Sequence, residues 1–245
     1  MALVHTEIQI FKVSEDRLEE LLEIQKEVCE RLELAELYFP VSKDEMLEFL
    51  RPGGVCYAAA HGSKLVGFFG ILLMGDRPDN IGYELGLEKD EILQVVYYKA
   101  VNVLPSYRRM GLQKRLTRAV FAELGVGLQS QRAGNFEVSS RVMCATISPH
   151  NIASLKSFFD CGFWIAGLKS KFNGLQRYLM MRRCTDMPVK DVQYITVPVT
   201  DHEAQKRLLS QGMLGIQFSA SPGGLAAIGY TTRDAVLNSG KDISS

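Results

Sequence analysis

The sequence predicts a mixed α/β fold, and three observations carry that prediction. Short apolar runs of period two alternate along the chain with longer runs of period 3.6, so strands and helices interleave. One strand pattern, "QVVYYKAVNV" (94–103), runs through Pro105 and a basic turn holding Gly111 into a helical pattern. A strand, helix and strand over 142–183 then return fifty residues further on without a gap.

Taken in order, residues 6–12 read as a strand. "SEDRLEELLEIQKEVCERLEL" from Ser14 reads as an amphipathic helix, with Ser14 placed to cap its first turn. A shorter helix over 43–50 stops at Arg51-Pro52-Gly53-Gly54, which cannot prolong it. "VCYAAA" (55–60) and "KLVGFFGILLMG" (64–75), split by the turn at His61-Gly62-Ser63, predict a hairpin. A polar segment over 76–91 precedes the strand at 94–103. After the basic turn and its helix, a strand at 142–147 leads through Pro149 to a helix starting at Asn151, and Gly162-Phe163 opens another strand.

Composition narrows the function. The 245 residues are 47% hydrophobic and 23% charged, and 28 basic side chains balance 28 acidic ones. The basic turn is therefore a local feature, and neither nucleic acid nor a membrane surface is an expected partner. Five scattered cysteines without metal-ligand spacing read as reduced, buried thiols, and no metal is expected. No apolar run reaches membrane-spanning length, and "MALVHTEIQI" has no leader pattern, so the expected location is cytoplasmic.

The turn itself has a chemical reading. A strand that ends at Pro105 and turns into a helix directs unbonded backbone N–H groups at one spot, and the helix dipole adds positive potential there. Gly111 lets the backbone approach a ligand oxygen, while Arg108, Arg109, Lys114, Arg115 and Arg118 raise the field. A diphosphate suits such a site; the alternative is a solvated basic face. A nucleoside-triphosphate loop would need two glycines ahead of Lys-Ser/Thr, and a dinucleotide fold three glycines and a downstream acid, and the turn has neither pattern.

A second segment, "VMCATISPHNIASLKSFFDCGF" (142–163), decides between these. Together the two segments resemble the GNAT superfamily of acyl-CoA-dependent acyltransferases. The family's Arg/Gln-x-x-Gly-x-Gly/Ala motif is offered by Arg108-Arg109-Met110-Gly111-Leu112-Gln113, and its Asn and Gly-Phe motif by Asn151, Gly162 and Phe163. "GLQKRL" and "FNGLQRYLMMRR" look like a bacterial branch whose first motif ends in Gly-Leu-Gln. The resemblance implies a mixed, mostly antiparallel central sheet flanked by helices, with acetyl-CoA or another acyl-CoA as cosubstrate. It also implies pantetheine in a gap between the strand ending at Val103 and the strand at 142–147. By the same resemblance, coenzyme contacts fall on Asn102, Val103, Arg108, Arg109, Met110, Gly111, Leu112, Gln113, Lys114, Asn151, Ser154 and Phe158. The resemblance further implies that a backbone N–H near Val103 faces the thioester carbonyl and that no covalent enzyme intermediate is needed.

Acid and base chemistry departs from the family pattern. Relatives carry a tyrosine seven residues after the motif asparagine, where this chain has Phe158. A thiol of pKa about 8.5 still leaves as the thiolate, so the loss slows the reaction without forbidding it. The motif strand also lacks the carboxylate that many relatives use as base. Tyr97, and Glu84 or Glu91 acting through water, are the candidates instead. Lys99, on the same expected strand face as Tyr97 and Val103, would favour an acidic acceptor group. His61 reads as exposed, as does His5, while His150 and Asn151 read first as turn and cap residues.

Three parts follow: an acyltransferase domain over 1–185, a degenerate half-repeat over 186–235 packed on it, and a frayed tail over 236–245. In the repeat, Asn151 falls on Asp201, Gly162 on Gly212 and Thr146 on Thr196. The half carrying the phosphate turn is missing from this copy. The expected activity is direct transfer of an acyl group, most simply acetyl, to an amine of a small molecule or peptide. The alternative is an acyl-CoA-binding or assembly module with weakened catalysis, and a homodimer is compatible with either.

Overall fold

In the computed structural model, residues 7–124, 141–184, 189, 192–220 and 225–238 are described, so His5 and the end of the tail lie outside them. The chain divides into two compact units. The first draws on Met1–Ala35, Phe39–Gly75 and Val96–Val138, and the second on Glu36–Tyr38, Asp76–Val95 and Ser139–Ser245.

The first unit holds strands β1 (Ile8–Lys12), β2 (Gly54–His61), β3 (Lys64–Leu73) and β4 (Val95–Val103), antiparallel and in that order. Helices α1 (Leu18–Glu30), α2 (Lys43–Glu48) and α5 (Leu112–Glu123) accompany them. The α1 stripe Leu18, Leu21, Ile24 and Val28 is buried, as a period of 3.6 requires. Its polar member Gln25 is buried too, and satisfied: it donates to Val41 O at 2.9 Å and accepts from Val41 N at 3.0 Å.

Ser14 does not cap α1. Its hydroxyl donates to the Asp16 carboxylate at 2.6 Å, and a 3₁₀ turn over Glu15–Arg17 intervenes before the helix. The chain enters the helix through that turn, with Arg17 N donating to Ser14 O at 3.1 Å, and no backbone amide reaches the hydroxyl. Helix α2, by contrast, has the reciprocal capping box, with Glu45 N bonded to Ser42 Oγ and Ser42 N to Glu45 Oε2.

One register shift matters for function. Gly70 pairs with Ala100 but Ile71 pairs with Tyr98, so Lys99 is an extra residue bulging from β4. Strict alternation would place Val103 on the face of Tyr97. The bulge instead puts Tyr97 with Ala100 and Asn102, while Val103 shares the opposite face with Tyr98 and Val101. That second face packs on α5, where Tyr98 stacks on Phe121 with ring centroids 6.1 Å apart.

The second unit begins with α3 (Ile81–Glu84) and α4 (Lys89–Ile92). It continues with β5 (Val142–Ile147), α6 (Ile152–Asp160), β6 (Trp164–Lys171), β7 (Leu175–Arg183), β8 (Ile195–Pro198), α7 (His202–Ser210), β9 (Met213–Ser219), β10 (Ala227–Thr232) and α8 (Arg233–Asn238). Its strands run in the order β5-β7-β6-β9-β10-β8, with antiparallel pairings. The mixed α/β fold is the one that the sequence predicts, and the mostly antiparallel sheet flanked by helices is the one that the family resemblance implies.

Within this unit α6 and α7 are close copies. Each has nine residues. Their N-caps are Asn151 at φ −85, ψ 72 and Asp201 at φ −89, ψ 73, and each side chain accepts the amide three residues on, at 3.0 Å in both cases. Each helix ends before a left-handed glycine, Gly162 at φ 80 and Gly212 at φ 79.

Of the cysteines, Cys56 and Cys144 are buried, and Cys29, Cys161 and Cys184 only half-buried. Burial pushes the Cys56 thiol up to about 12, and Cys144 is raised for the same reason, so neither is a nucleophile at neutral pH.

Candidate active site

The turn after β4 is built from the strand end outward. Leu104 N donates to Val66 O at 2.9 Å, extending the ladder by one residue. Pro105–Tyr107 form one 3₁₀ turn, with proline at the position where a missing N–H costs nothing. Arg108 is extended, and two left-handed residues follow: Arg109 at φ 63 and Gly111 at φ 70, ψ 14. Gly111 is the N-cap of α5 and has no side chain with which to close the helix start.

Helix α5 has no acidic residue in its first turn, and its first i→i−4 bond runs from Arg115 N to Gly111 O at 3.1 Å. The amides of that first turn therefore have no intrahelical acceptor. A Cβ built on Gly111 would meet nothing within 4 Å. The glycine is thus demanded by the left-handed backbone and not by crowding, and the open side leaves room for an anion. Arg108, Arg109, Met110 and Lys114 are exposed around this start, Gln113 is half-buried, and Leu112 is core, so Leu112 can offer a ligand only its backbone amide. These residues fit a pyrophosphate: donors converge, the field is positive, and no carboxylate belongs to the turn.

The second motif lies at the start of α6. Asn151 Oδ1 accepts from Ser154 N at 3.0 Å, and its Nδ2 donates to Leu37 O at 3.3 Å. Both ends of the amide are committed to holding the helix start and the 36–38 segment of the same unit. Beside it, His150 Nε2 lies 3.5 Å from Glu36 Oε1. Phe158 is buried edge-on against Phe163, with ring centroids 4.9 Å apart, and supplies a wall instead of a proton.

On β4, Tyr97 and Asn102 are buried. The Lys99 ammonium sits 5.3 Å from the Tyr97 ring centroid and 2.9 Å from Glu45 Oε1 of α2. Burial pushes the Glu45 carboxyl up, but Lys99 and the Ser42 amide outweigh it and hold it below the usual carboxylate value. The carboxylate missing from the motif strand is thus brought to it by α2. Because Glu45 neutralises Lys99, the charge argument for an acidic acceptor loses its basis. Nothing in the sequence connects Glu45 with Lys99, 54 positions apart.

Glu84 ends α3, ion-paired to Lys171 with Lys169 also close, at 3.9 Å. Glu91 pairs with Arg183 at 2.6 Å, and that guanidinium holds its carboxyl below the usual range. Both carboxylates are engaged by cations, and the lowered carboxyl of Glu91 is a weaker proton acceptor for it.

Comparison with known proteins bears on the fold and the family. The chain's fold is similar to that of the ribosomal-protein-S18-alanine N-acetyltransferase from Escherichia coli, at 14% identity and TM-score 0.51, covering 76% of this chain and 99% of that one. It is similar to Arabidopsis thaliana NAA60 in complex with acetyl-CoA, at 15% identity and TM-score 0.56, covering 72% and 98%. An N-acetyltransferase from Staphylococcus aureus Mu50 matches at 17% identity and TM-score 0.52, over 73% and 99%. No curated protein matches by sequence. The acetyltransferase (GNAT) family profile matches residues 17–163, more than half of the sequence and both motifs, and the chain belongs to that family.

Proposed function

We propose that this protein is an N-acetyltransferase that moves the acetyl group of acetyl-CoA directly to an amine of a small molecule or peptide. The observation that carries the reading is the start of α5: uncapped, free of acid, shaped by two left-handed residues and surrounded by arginines. Amides of residues 111–114 and the guanidinium groups of Arg108 and Arg109 hold the pyrophosphate. The neutral amine attacks the thioester carbonyl, a backbone N–H near Val103 stabilises the oxyanion, and the C–S bond breaks. The sulfur leaves as thiolate, since Phe158 has no proton to give, and the ammonium proton passes through water to Glu84 once that carboxylate has released Lys171; the neutral phenol of Tyr97 can relay that proton but not keep it. The Gly111-Leu112-Gln113 triplet supports reading the chain as one of the bacterial branch of the family.

The C-terminal segment is, in this reading, a degenerate second copy of the family's second half. Matching caps and glycines at α6 and α7 support it. A second reading, a coenzyme-binding module without turnover, is favoured by Phe158 and by the engaged carboxylates. A thiol-release assay with acetyl-CoA over a panel of amines separates the two. Amine-dependent release of CoA thiol is expected; tight acetyl-CoA binding without release for any amine overturns the enzyme reading.

A further inference from the structure

The strained turn at 108–114 is bracketed by two side-chain bonds that converge on one place. Before the turn, the Tyr107 hydroxyl lies 2.9 Å from His61 Nδ1, the rings meeting edge to face at 5.7 Å. After it, Arg115 Nη2 donates to Ile8 O at 2.6 Å. Ile8 and His61 are cross-strand partners on β1 and β2. The two legs therefore stand on a single rung of the sheet, at the tip of the β2–β3 hairpin, where His61 also pairs with Lys64.

A left-handed arginine is unfavourable on its own, and such a conformation persists only where its surroundings over-determine it. Here the residues on either side of Arg109 and Gly111 are pinned to the same rung, which fixes the separation of the turn's two ends. We propose that Tyr107–His61 and Arg115–Ile8 form a two-legged clamp that pre-organises the turn for the coenzyme's pyrophosphate, with Tyr107, His61 and Arg115 as positioning residues. This rests on the reading of the turn as the pyrophosphate site. Arg115 then serves the site by holding its backbone, not by meeting the phosphates.

The test is calorimetric titration of the full chain with acetyl-CoA and with 3′-phospho-ADP, the part of the coenzyme that contains the pyrophosphate. Tyr107→Phe, His61→Ala, their double variant and Arg115→Met are compared with wild type. Loss of one hydrogen bond predicts affinity weakened about three- to tenfold in each single variant. The loss is equal for the two ligands, and the double variant is no weaker than Tyr107→Phe, with thermal midpoints close to wild type. Wild-type affinity in Tyr107→Phe, or additive losses from Tyr107→Phe and His61→Ala, overturns the clamp and leaves the pyrophosphate reading standing. Wild type that binds neither ligand overturns that reading, and the clamp with it.

Discussion

Helix α7 opens behind Asp201, whose carboxylate accepts the Ala204 amide at 3.0 Å, whereas α5 opens behind Gly111, which offers its amides nothing. Helix α6 resembles α7, with Asn151 in the cap. A capped start is complete within the chain. An uncapped, basic start leaves unsatisfied donors and an uncompensated dipole, and both are relieved by a bound anion. On the proposed reading of α5, the difference teaches that the ligand end of a helix is recognised by the missing cap as much as by the added arginines.

The closed helix should fail by stability and the open one by affinity. The largest effect is expected at Gln205, which is buried in the second unit. Its Oε1 accepts the Tyr178 and Tyr230 hydroxyls, both at 2.7 Å, and its Nε2 donates to Pro198 O and Val199 O. Gln205→Leu strands these partners, and unfolding in urea should show a loss of at least about 3 kcal/mol. A midpoint within error of wild type would break the claim that α7 is held internally.

Asp201→Ala removes the cap and should cost about 1 kcal/mol by the same measurement. It should not create a second acetyl-CoA site, because the opened start lacks the left-handed turn and its arginines. A binding stoichiometry above one would show that an open helix start alone suffices. Smallest of all is Arg118→Ala, about two turns into α5, where the dipole's influence has faded. Less than a threefold change in acetyl-CoA dissociation constant is expected, and a tenfold change would mean that bulk positive field, not the turn, holds the ligand.

Much of this architecture is legible in the chain. The strands and the three helix starts follow from periodicity and from Gly111, Asn151 and Asp201, because those signals are local. What escapes the sequence is set by pairing. The bulge at Lys99 exists only relative to β3, so alternation misassigns Val103 to the face of Tyr97. The Lys99–Glu45 pair spans 54 positions, and the His61–Tyr107 and Arg115–Ile8 bonds span 46 and 107. Ser14 shows the reverse limit: a correct cap residue type set apart from α1 by a 3₁₀ turn over Glu15–Arg17.

The central claim, that the start of α5 holds the pyrophosphate, is tested most directly by titrating acetyl-CoA into wild type, Gly111→Asn and Gly111→Asp. Both replacements tolerate the left-handed backbone better than other side chains do, and they differ in a single charge. The account predicts that Gly111→Asp weakens binding by about a hundredfold, a loss of about 2.7 kcal/mol, and that Gly111→Asn weakens it less than tenfold. Equal affinity for wild type and Gly111→Asp, with the fold intact by circular dichroism, would contradict it.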